Sequence, residues 1–206
     1  MQTALHLFPD IRPLSRARLP VATAELARYL IGKSLVRNIG RNRMIGRIVE
    51  TKAYPPGDAS GHGYRGETGR NRSLFLGVGF AYVYFIYGTS YMLNVSAEES
   101  GVGAGVLLRA IEPIAGIELM QRYRKIDKLI DLTRGPGRLA AALQIDRRLD
   151  GIDLCNDGPL WLGAPAQKVP RIGISVRIGI THEVGRLLRF FETGNRFVSG
   201  PRGDTT

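Results

Sequence analysis

Residues 79–95 read Gly79-Phe-Ala-Tyr-Val-Tyr-Phe-Ile-Tyr-Gly-Thr-Ser-Tyr-Met-Leu-Asn-Val95. Strand-forming residues occupy positions 80–87, stop at the Gly-Thr-Ser sequence of 88–90 and resume up to Val95. This pattern predicts a β-hairpin. We expect the rest of the chain to be organised around it.

Both faces of the predicted hairpin carry aromatic residues. Because side chains alternate between the faces of a strand, Tyr82 and Tyr84 share one face, while Val83, Phe85 and Tyr87 share the other. Such a hairpin is either buried on both sides or offers one face to a flat ligand. Aromatic rings set among cations suit a nucleobase, which stacks on the rings while Lys and Arg hold its phosphates.

The chain has a large excess of positive charge. It contains 29 Lys and Arg against 18 Asp and Glu, for a formal net charge of +11 and a pI of about 10.3. This balance favours a polyanionic partner, either nucleic acid or an anionic membrane surface. No apolar run reaches the length of about 18 residues that a membrane span needs. The first 20 residues lack the apolar core of a signal peptide, so we expect a cytoplasmic protein.

The length of 206 residues and a hydrophobic content of 44% predict one domain with a substantial core. Prolines and arginines near the start predict a basic N-terminal arm over residues 1–18, followed by the domain over 19–206. The arm either contacts phosphate or is a solvated tail, and both readings stay open. The single cysteine, Cys155, excludes an internal disulfide and is expected to be a packed free thiol.

Local signals predict the elements that precede the hairpin. Thr23 is placed to N-cap a short helix that ends just before Gly32. A strand over 34–36, a turn over 38–43 and a second strand over 44–53 follow.

The end of the second strand carries an acid, an amine and a phenol. Alternation puts Glu50, Lys52 and Tyr54 on one face, with about 6.6 Å between successive side chains. Such a row is unusual in a core and common on a solvated face. The loop that follows argues against simple solvation.

Residues 55–72 form a long irregular loop rich in glycine. Loops of this length inside a compact domain are uncommon and are usually functional or disordered. The loop contains His62, which is a candidate to line a site between the acidic strand end and the aromatic hairpin. It also contains Arg65, Arg70 and Arg72, which we expect to contact the phosphates of a nucleic acid.

Beyond the hairpin, residues 105–111 predict an apolar strand interrupted by Arg109. A buried arginine needs an anionic partner, and Glu50 is the obvious candidate; the alternative is an edge strand with Arg109 in water. Residues 113–124 resemble a helix, and Arg134-Gly-Pro-Gly-Arg138 opens another. The free amides at that helix start are a weak signal for phosphate.

Several common site types are missing from the sequence. Its three histidines, His6, His62 and His182, are scattered, so no metal site is readable. There is no dinucleotide-binding glycine spacing, no phosphate-cradling Gly-Lys-Ser loop and no Gly-x-Ser-x-Gly elbow. We expect no cofactor, so any enzyme chemistry rests on carboxylates, Lys, Tyr, His62 and Arg.

Separate stretches, in chain order, form one further pattern. They are Ile48-Val-Glu-Thr-Lys-Ala-Tyr54, His62, Arg70-Asn-Arg72, Tyr82-Val-Tyr-Phe-Ile-Tyr-Gly88, Asn94, Val106-Leu-Leu-Arg-Ala-Ile-Glu-Pro113 and Gly135-Pro-Gly-Arg-Leu139. Together they resemble the alkyladenine (3-methyladenine) DNA glycosylase family, over nearly the whole chain. The resemblance implies a mixed α/β (α+β) single domain around a curved antiparallel sheet with a protruding β-hairpin, monomeric and without metal. The implied activity is hydrolysis of the N-glycosidic bond of an alkylated or deaminated purine flipped out of duplex DNA.

The resemblance also implies roles for individual residues. Tyr87, at the hairpin tip, matches the side chain that intercalates where the damaged base was. Tyr54, His62 and Tyr84 match the walls of the base pocket. Asn94 matches the asparagine that discriminates against the guanine amino group.

The catalytic positions of the family are matched less completely. Arg109 matches the arginine that helps to hold the attacking water. The family pattern Glu-Thr-Glu-Ala-Tyr is here Glu50-Thr-Lys-Ala-Tyr, so Lys52 stands where the resemblance implies the general base. An ammonium cannot accept a proton. Three outcomes stay open: Glu50 takes over water activation, Lys52 acts as a nucleophile, or the site is slow or inactive.

Three functions are therefore compatible with the sequence. The first is a DNA repair glycosylase that acts on damaged purines in duplex DNA. The second is a catalytically impaired module that binds lesion DNA, because Lys52 replaces the catalytic Glu. The third and weakest is an RNA-binding protein.

Overall fold

The computed structural model describes residues 11–164 and 171–200 of the chain. These residues form one antiparallel sheet of eight strands with three short α-helices, so the mixed α/β single-domain fold is confirmed. The strands are β1 Ser34–Ile39, β2 Asn42–Tyr54, β3 Ala81–Ile86, β4 Ser90–Ser96, β5 Gly105–Ala115, β6 Leu160–Gly163, β7 Ile172–Ser175 and β8 Arg189–Glu192. The helices are α1 Thr23–Leu30, α2 Ile117–Arg124 and α3 Pro136–Ala142.

Strand β2 is the centre of the sheet. The strand order is β3-β4-β5-β2-β1-β6, and β8 also pairs with β2 and carries β7 on its other side. The first half of β2 pairs with β1, and residues Glu50–Lys52 pair with β8. Because β2 has two different neighbours along this edge, the sheet curls around it.

The pairing of β2 with β5 is interrupted in the middle of both strands. Ile48 pairs with Ile111 and Thr51 with Leu108, and the register shifts on both sides of Glu50. Ile48, Ile111 and Leu108 belong to the main core, which α1 covers. The irregularity places the polar residues in between, Glu50 and Arg109, on the face of the sheet opposite the main core. A second, smaller hydrophobic cluster lies on that face.

The boundaries of two predicted elements were wrong. The predicted turn over 38–43 is shorter, because β1 continues to Ile39 and β2 begins at Asn42. The predicted helix over 113–124 begins only at Ile117, because β5 extends through Pro113 to Ala115. Gly116, with φ of 72°, makes the left-handed turn between this strand and α2.

The start of α1 also differs from the prediction. Ala22, rather than Thr23, is the N-cap residue, and Thr23 is buried inside the first turn. The backbone N–H of Thr23 donates to Glu98 Oε1 at 2.8 Å, and its hydroxyl donates to the same oxygen at 2.5 Å. The carboxylate of Glu98, in the β4–β5 loop, therefore caps the start of α1. The local sequence could not indicate this, because Glu98 is 75 residues away from Thr23.

The described part of the predicted N-terminal arm lies on the domain. The Leu14 amide donates to the Leu162 carbonyl, and Leu14 is buried in the main core. Arg16 forms an ion pair with Asp153 at 2.5 Å. Residues 11–18 are thus anchored to β6 and its neighbours, and residues 1–10 of the predicted arm lie outside the described part of the chain.

The predicted hairpin is present as β3 and β4, but Tyr87 belongs to its turn. Ile86 pairs with Ser90, and both Tyr87 and Gly88 have positive φ, 56° and 66°. The strand alternation therefore ends at Ile86, and Tyr87 does not continue the face of Phe85 as predicted. Tyr87 is 77% exposed at the tip. A tyrosine in the left-handed region is strained, and such strain is often kept at functional positions.

We expect the strain at Tyr87 to be measurable as lost stability. Replacing Tyr87 with Gly should raise the free energy of unfolding by about 1 kcal/mol relative to Tyr87→Ala, because only Gly adopts positive φ without a Cβ clash. The exposed tyrosine ring contributes little packing in either case. Urea denaturation of both variants measures the difference, and equal stabilities would show that the turn is not strained.

Candidate active site

The register of the sheet brings the candidate residues into one row. Tyr82 on β3 pairs with Asn94 on β4, and Asn94 pairs with Leu107 on β5. Leu107 pairs with Lys52 on β2, which pairs with Arg189 on β8. Directly opposite residues project to the same face, and neighbouring strands are about 4.8 Å apart. The row therefore crosses the face of the sheet that is turned away from the main core.

A cavity of about 730 Å³ lies over this face. We call it the main cavity. Its walls include five tyrosines and five cations: Tyr54, Tyr84, Tyr87, Tyr91, Tyr123, Lys52, Arg109, Arg124, Arg134 and Arg138. Among the described residues, no carboxylate lines it. The cavity is thus a positively charged space with an aromatic side, which suits a nucleic-acid strand.

Lys52 is the most deeply placed cation of the main cavity, with 2% of its surface exposed. Its Nζ donates a hydrogen bond to the carbonyl oxygen of Ile178. Burial, followed by the positive charge of Arg109, lowers the pKa of Lys52 from 10.5 to about 7, although Glu50 opposes the shift. A large fraction of the Lys52 side chains is therefore a neutral amine with a free lone pair at neutral pH.

Glu50 lies behind this site and does not line the main cavity. Its side chain is fully buried, and Arg189 Nε donates to Oε1 at 2.8 Å. The amide of Ser199 donates to Oε2 at 2.7 Å. Both carboxylate oxygens are thus engaged by the protein, and within the described residues Glu50 forms ion pairs with arginines rather than with Lys52.

The predicted partnership of Arg109 and Glu50 is confirmed. Arg109 Nε lies 3.2 Å from Glu50 Oε1, and the side chain is 21% exposed. Arg109 also lines the main cavity, so one guanidinium links the buried carboxylate to the open space. The predicted alternative, an edge strand with Arg109 in water, was wrong because β5 lies between β4 and β2.

The predicted base-pocket residues surround a second, smaller cavity of about 50 Å³, which we call the inner pocket. All four predicted residues line it: Tyr54, His62, Tyr84 and Asn94. Tyr54 and Tyr84 also line the main cavity, so the two spaces adjoin. A liquid water occupies about 30 Å³, so the inner pocket has room for only one or two waters and not for a purine.

The inner pocket is small because its aromatic walls touch. The rings of His62 and Tyr84 are 4.3 Å apart, and those of Tyr82 and Tyr84 stack at 5.3 Å. His62 Nδ1 lies 2.8 Å from the Tyr82 hydroxyl. Burial and the nearby Arg70 lower the pKa of His62, so its imidazole is neutral at pH 7. Asn94 is 5% exposed, and its side-chain amide donates to the Tyr82 carbonyl at 3.4 Å.

The loop that carries His62 is held by three separate contacts. Asp58 is fully buried and pairs with Arg177 at 2.7 Å. The Asn71 side-chain amide donates to the His62 carbonyl at 2.7 Å. Gly63 lies so close to Gly103 that an added Cβ would come within 2.0 Å of the Gly103 carbonyl oxygen. These contacts hold the loop against the domain, and its predicted functional role stays a prediction.

Arg177 also supports the wall of the inner pocket. Its guanidinium carbon lies 4.8 Å from the centre of the Tyr54 ring, and it donates to the Ala53 carbonyl at 3.0 Å. The arginine is fully buried with Asp58. One face of Tyr54 is thus covered by a fixed cation, which sets the orientation of the ring.

The arginines predicted to contact phosphate are all exposed. Arg65 and Arg70 line an open depression of about 450 Å³ beside His62 and Tyr82. Arg72 begins a short 3-10 helix and lines neither this depression nor the main cavity. Their contact with DNA stays a prediction.

Sequence reasoning missed the two arginines that hold the site from behind. Arg177 and Arg189 come from the C-terminal part of the chain, 125 or more positions from Lys52. The one available signal is that Arg189, like Arg109, lies in an apolar run, residues 187–191, where a buried arginine needs an anion. The segment Arg134–Arg138, which gave the weak signal for phosphate, does line the main cavity.

Comparison with known proteins gives the family. The sequence model described as methylpurine-DNA glycosylase (MPG) matches residues 18–196. The chain belongs to this family. A relative from Mesorhizobium japonicum, named "Putative 3-methyladenine DNA glycosylase", is 62% identical over 94% of this chain and 93% of its own length. Proteins of the same name from Paraburkholderia phytofirmans and Chlorobium phaeobacteroides are 51% and 42% identical, over 96% and 87% of this chain and 92% of each relative.

Two further findings concern the part of the chain that the structure covers. There, no helix of this methylpurine-DNA glycosylase family member is long and apolar enough to cross a membrane. No group of three or more His, Cys, Asp or Glu side chains is arranged to hold a metal ion in the same part. Cys155 is buried and free, as predicted.

We expect Glu50 to be essential for stability. Glu50→Gln leaves Arg189 and Arg109 without their buried anion, which typically costs about 3–5 kcal/mol. Glu112→Gln is the matched control, because Glu112 pairs with Arg47 while 32% exposed and should cost at most about 1 kcal/mol. Chemical denaturation of both variants compares them. A small cost at Glu50 would contradict its role as the anchor of the site.

Proposed function

We propose that this protein is a DNA repair glycosylase that removes alkylated purines from duplex DNA after flipping them out of the helix. The observation that supports it best is that the cationic main cavity, which Lys52 lines, adjoins the aromatic inner pocket through the shared walls Tyr54 and Tyr84. Membership of the methylpurine-DNA glycosylase family supports the same reaction. The partner in this proposal is double-stranded DNA, bound by a single copy of the chain.

The main cavity is suited to the backbone of the damaged strand. Arg124, Arg134 and Arg138 line its wall, and each guanidinium can pair with a phosphate. Tyr87 stands exposed on the rim, on a turn that holds it clear of the sheet. In this proposal the ring of Tyr87 enters the duplex and fills the gap left by the extruded base.

The inner pocket must enlarge before it accepts a purine. The His62 ring lies against Tyr84, and a base stacked between these walls needs the two rings to move apart. The open depression beside His62 offers the space into which His62 can turn. The base would then stack on the free face of Tyr54, and the amide of Asn94 would meet its edge.

The chemical step in this proposal uses the neutral amine of Lys52. A free amine accepts a proton from water, which an ammonium cannot do, so the lowered pKa restores a general base at this position. Arg109, which also faces the main cavity, holds the water. The activated water adds to the sugar carbon as the base leaves. A cationic base such as 3-methyladenine leaves as a neutral molecule, so it needs the least assistance.

Glu50 is poorly suited to replace Lys52 as the base. It is fully buried, both of its oxygens accept hydrogen bonds, and it does not line the main cavity. We assign it a positioning role, in which its negative charge holds Arg109 and Arg189. Its predicted takeover of water activation therefore has no support in the geometry.

A catalytically impaired lesion-binding module is the second candidate. The several cations around the reaction centre favour it, because they oppose the positive charge that develops on the sugar. In this case the protein binds lesion DNA tightly and releases no base. Turnover distinguishes the two candidates directly.

We expect release of 3-methyladenine to increase as the pH rises through about 7. Below this pH the Lys52 amine is protonated and cannot act as a base, and above it the free amine predominates. Single-turnover release from methylated duplex DNA between pH 5.5 and 8.5 measures this. Lys52→Arg keeps the positive charge without a base and should lose about 100-fold or more in rate.

A second variant tests whether the pH dependence of base release originates at residue 52. Lys52→Glu introduces a carboxylate, and its half-maximal rate should move to acidic pH. If the wild type binds lesion DNA but releases no base, the binding module is correct. If Lys52→Arg is as active as the wild type, Lys52 is not the base.

A further inference from the structure

We infer that Lys52 also reacts covalently with abasic DNA, forming an imine with the sugar aldehyde that remains after a base has been removed. This activity deepens the proposed function, since an abasic sugar is the product of that reaction. The same amine would thus serve twice, first towards water and then towards the C1′ carbon.

The position of Lys52 supports this reaction. It is on the same strand face as Tyr54 and two residues away, so the two side chains are separated by about 6.6 Å. A base stacked on Tyr54 is joined to C1′ by a single bond, and both residues line the main cavity from which the strand enters. The sugar carbon is therefore presented next to the Lys52 amine when the base occupies the inner pocket.

The contacts of the amine leave it reactive. Its hydrogen bond to the Ile178 carbonyl uses an N–H and leaves the lone pair free. The nearest carboxylate, Glu50, is already held by Arg189 and Arg109. An ammonium would remain surrounded by cations here, so the fold favours the unprotonated form that a nucleophilic lysine needs.

The step balances without any other reactant. The ring-opened abasic sugar has an aldehyde at C1′, and the Lys52 lone pair forms an N–C1′ bond with it. The resulting carbinolamine loses its hydroxyl group and a proton from nitrogen as one water molecule. The product is an imine, and hydrolysis by one water returns the amine and the aldehyde.

Lys33 provides a matched comparison. It is buried like Lys52, with 9% of its surface exposed, and burial lowers its pKa as well. Its ammonium lies 4.3 Å from the centre of the Tyr29 ring, and it does not line the main cavity. If a lowered pKa alone produced the reaction, both lysines would react. If the reaction also requires a place on the wall of the main cavity, only Lys52 will react.

The test is reductive trapping on a ready-made abasic site. A duplex with one abasic site, prepared beforehand from deoxyuridine, is mixed with the full-length protein and borohydride, which reduces an imine to a stable secondary amine. We expect a covalent adduct with the wild type and with Lys33→Gln, and its loss with Lys52→Gln. Peptide mapping should place the adduct on Lys52 among the five lysines Lys33, Lys52, Lys125, Lys128 and Lys168.

Two controls keep the result interpretable. A tetrahydrofuran abasic analogue has no aldehyde, so it should give no adduct with either protein, and its binding by Lys52→Gln shows that the variant is folded. No base is released in this assay. An adduct can therefore form even if the protein has no glycosylase activity, and an active glycosylase can fail to form one. An undiminished adduct in Lys52→Gln, an adduct on another amine, or no adduct from a wild type that binds the abasic duplex would overturn the inference.

Discussion

The fully buried carboxylate of Glu50 is the interaction on which the rest of the site depends. It lies where the register of β2 and β5 shifts, and it is bound by Arg189 from β8 and by Arg109 from β5. A single buried charge would be very unfavourable, so the paired arginines and the Ser199 amide are needed to keep it there. The three strands are thereby locked together at the point where Lys52 emerges.

This anchor also sets the chemistry of Lys52. Burial is the main reason that the pKa of Lys52 is lowered, and the positive charge of Arg109 lowers it further against the opposing charge of Glu50. Had Glu50 paired with Lys52 instead, the ammonium would have been stabilised and could not have accepted a proton. Burial next to Arg109 thus makes a residue that looks incompatible with base catalysis able to act as a neutral amine.

Several parts of this arrangement could be predicted from the sequence. The hairpin follows from its alternating residues, and the convergence of Lys52, Tyr54 and Arg109 follows from strand periodicity and the need of a buried arginine for an anion. The inner-pocket residues Tyr54, His62, Tyr84 and Asn94 were named through the family resemblance, and they do surround one space. Their roles towards a damaged base stay predictions.

Other parts depend on contacts that local sequence does not encode. Arg177 and Arg189 reach the site from far along the chain, and the paired register shift beside Glu50 is set by the meeting of β2 with β5 and β8. The strand ends at Ile86, before Tyr87, because both turn residues, Tyr87 and Gly88, have positive φ, and the alternation of aromatics does not indicate this. Whether Lys52 would be charged could be decided only once these neighbours were known.

The protonation state of Lys52 is the central claim, and it can be measured without substrate. The protein is labelled at the lysine side-chain carbons and nitrogens, and the Lys52 signal is assigned by its disappearance in Lys52→Arg. Its chemical shift is then followed by NMR from pH 5 to pH 11. The account predicts a titration near pH 7 for Lys52. A midpoint near the ordinary value of about 10.4 would show that the ammonium persists at neutral pH and would contradict the account.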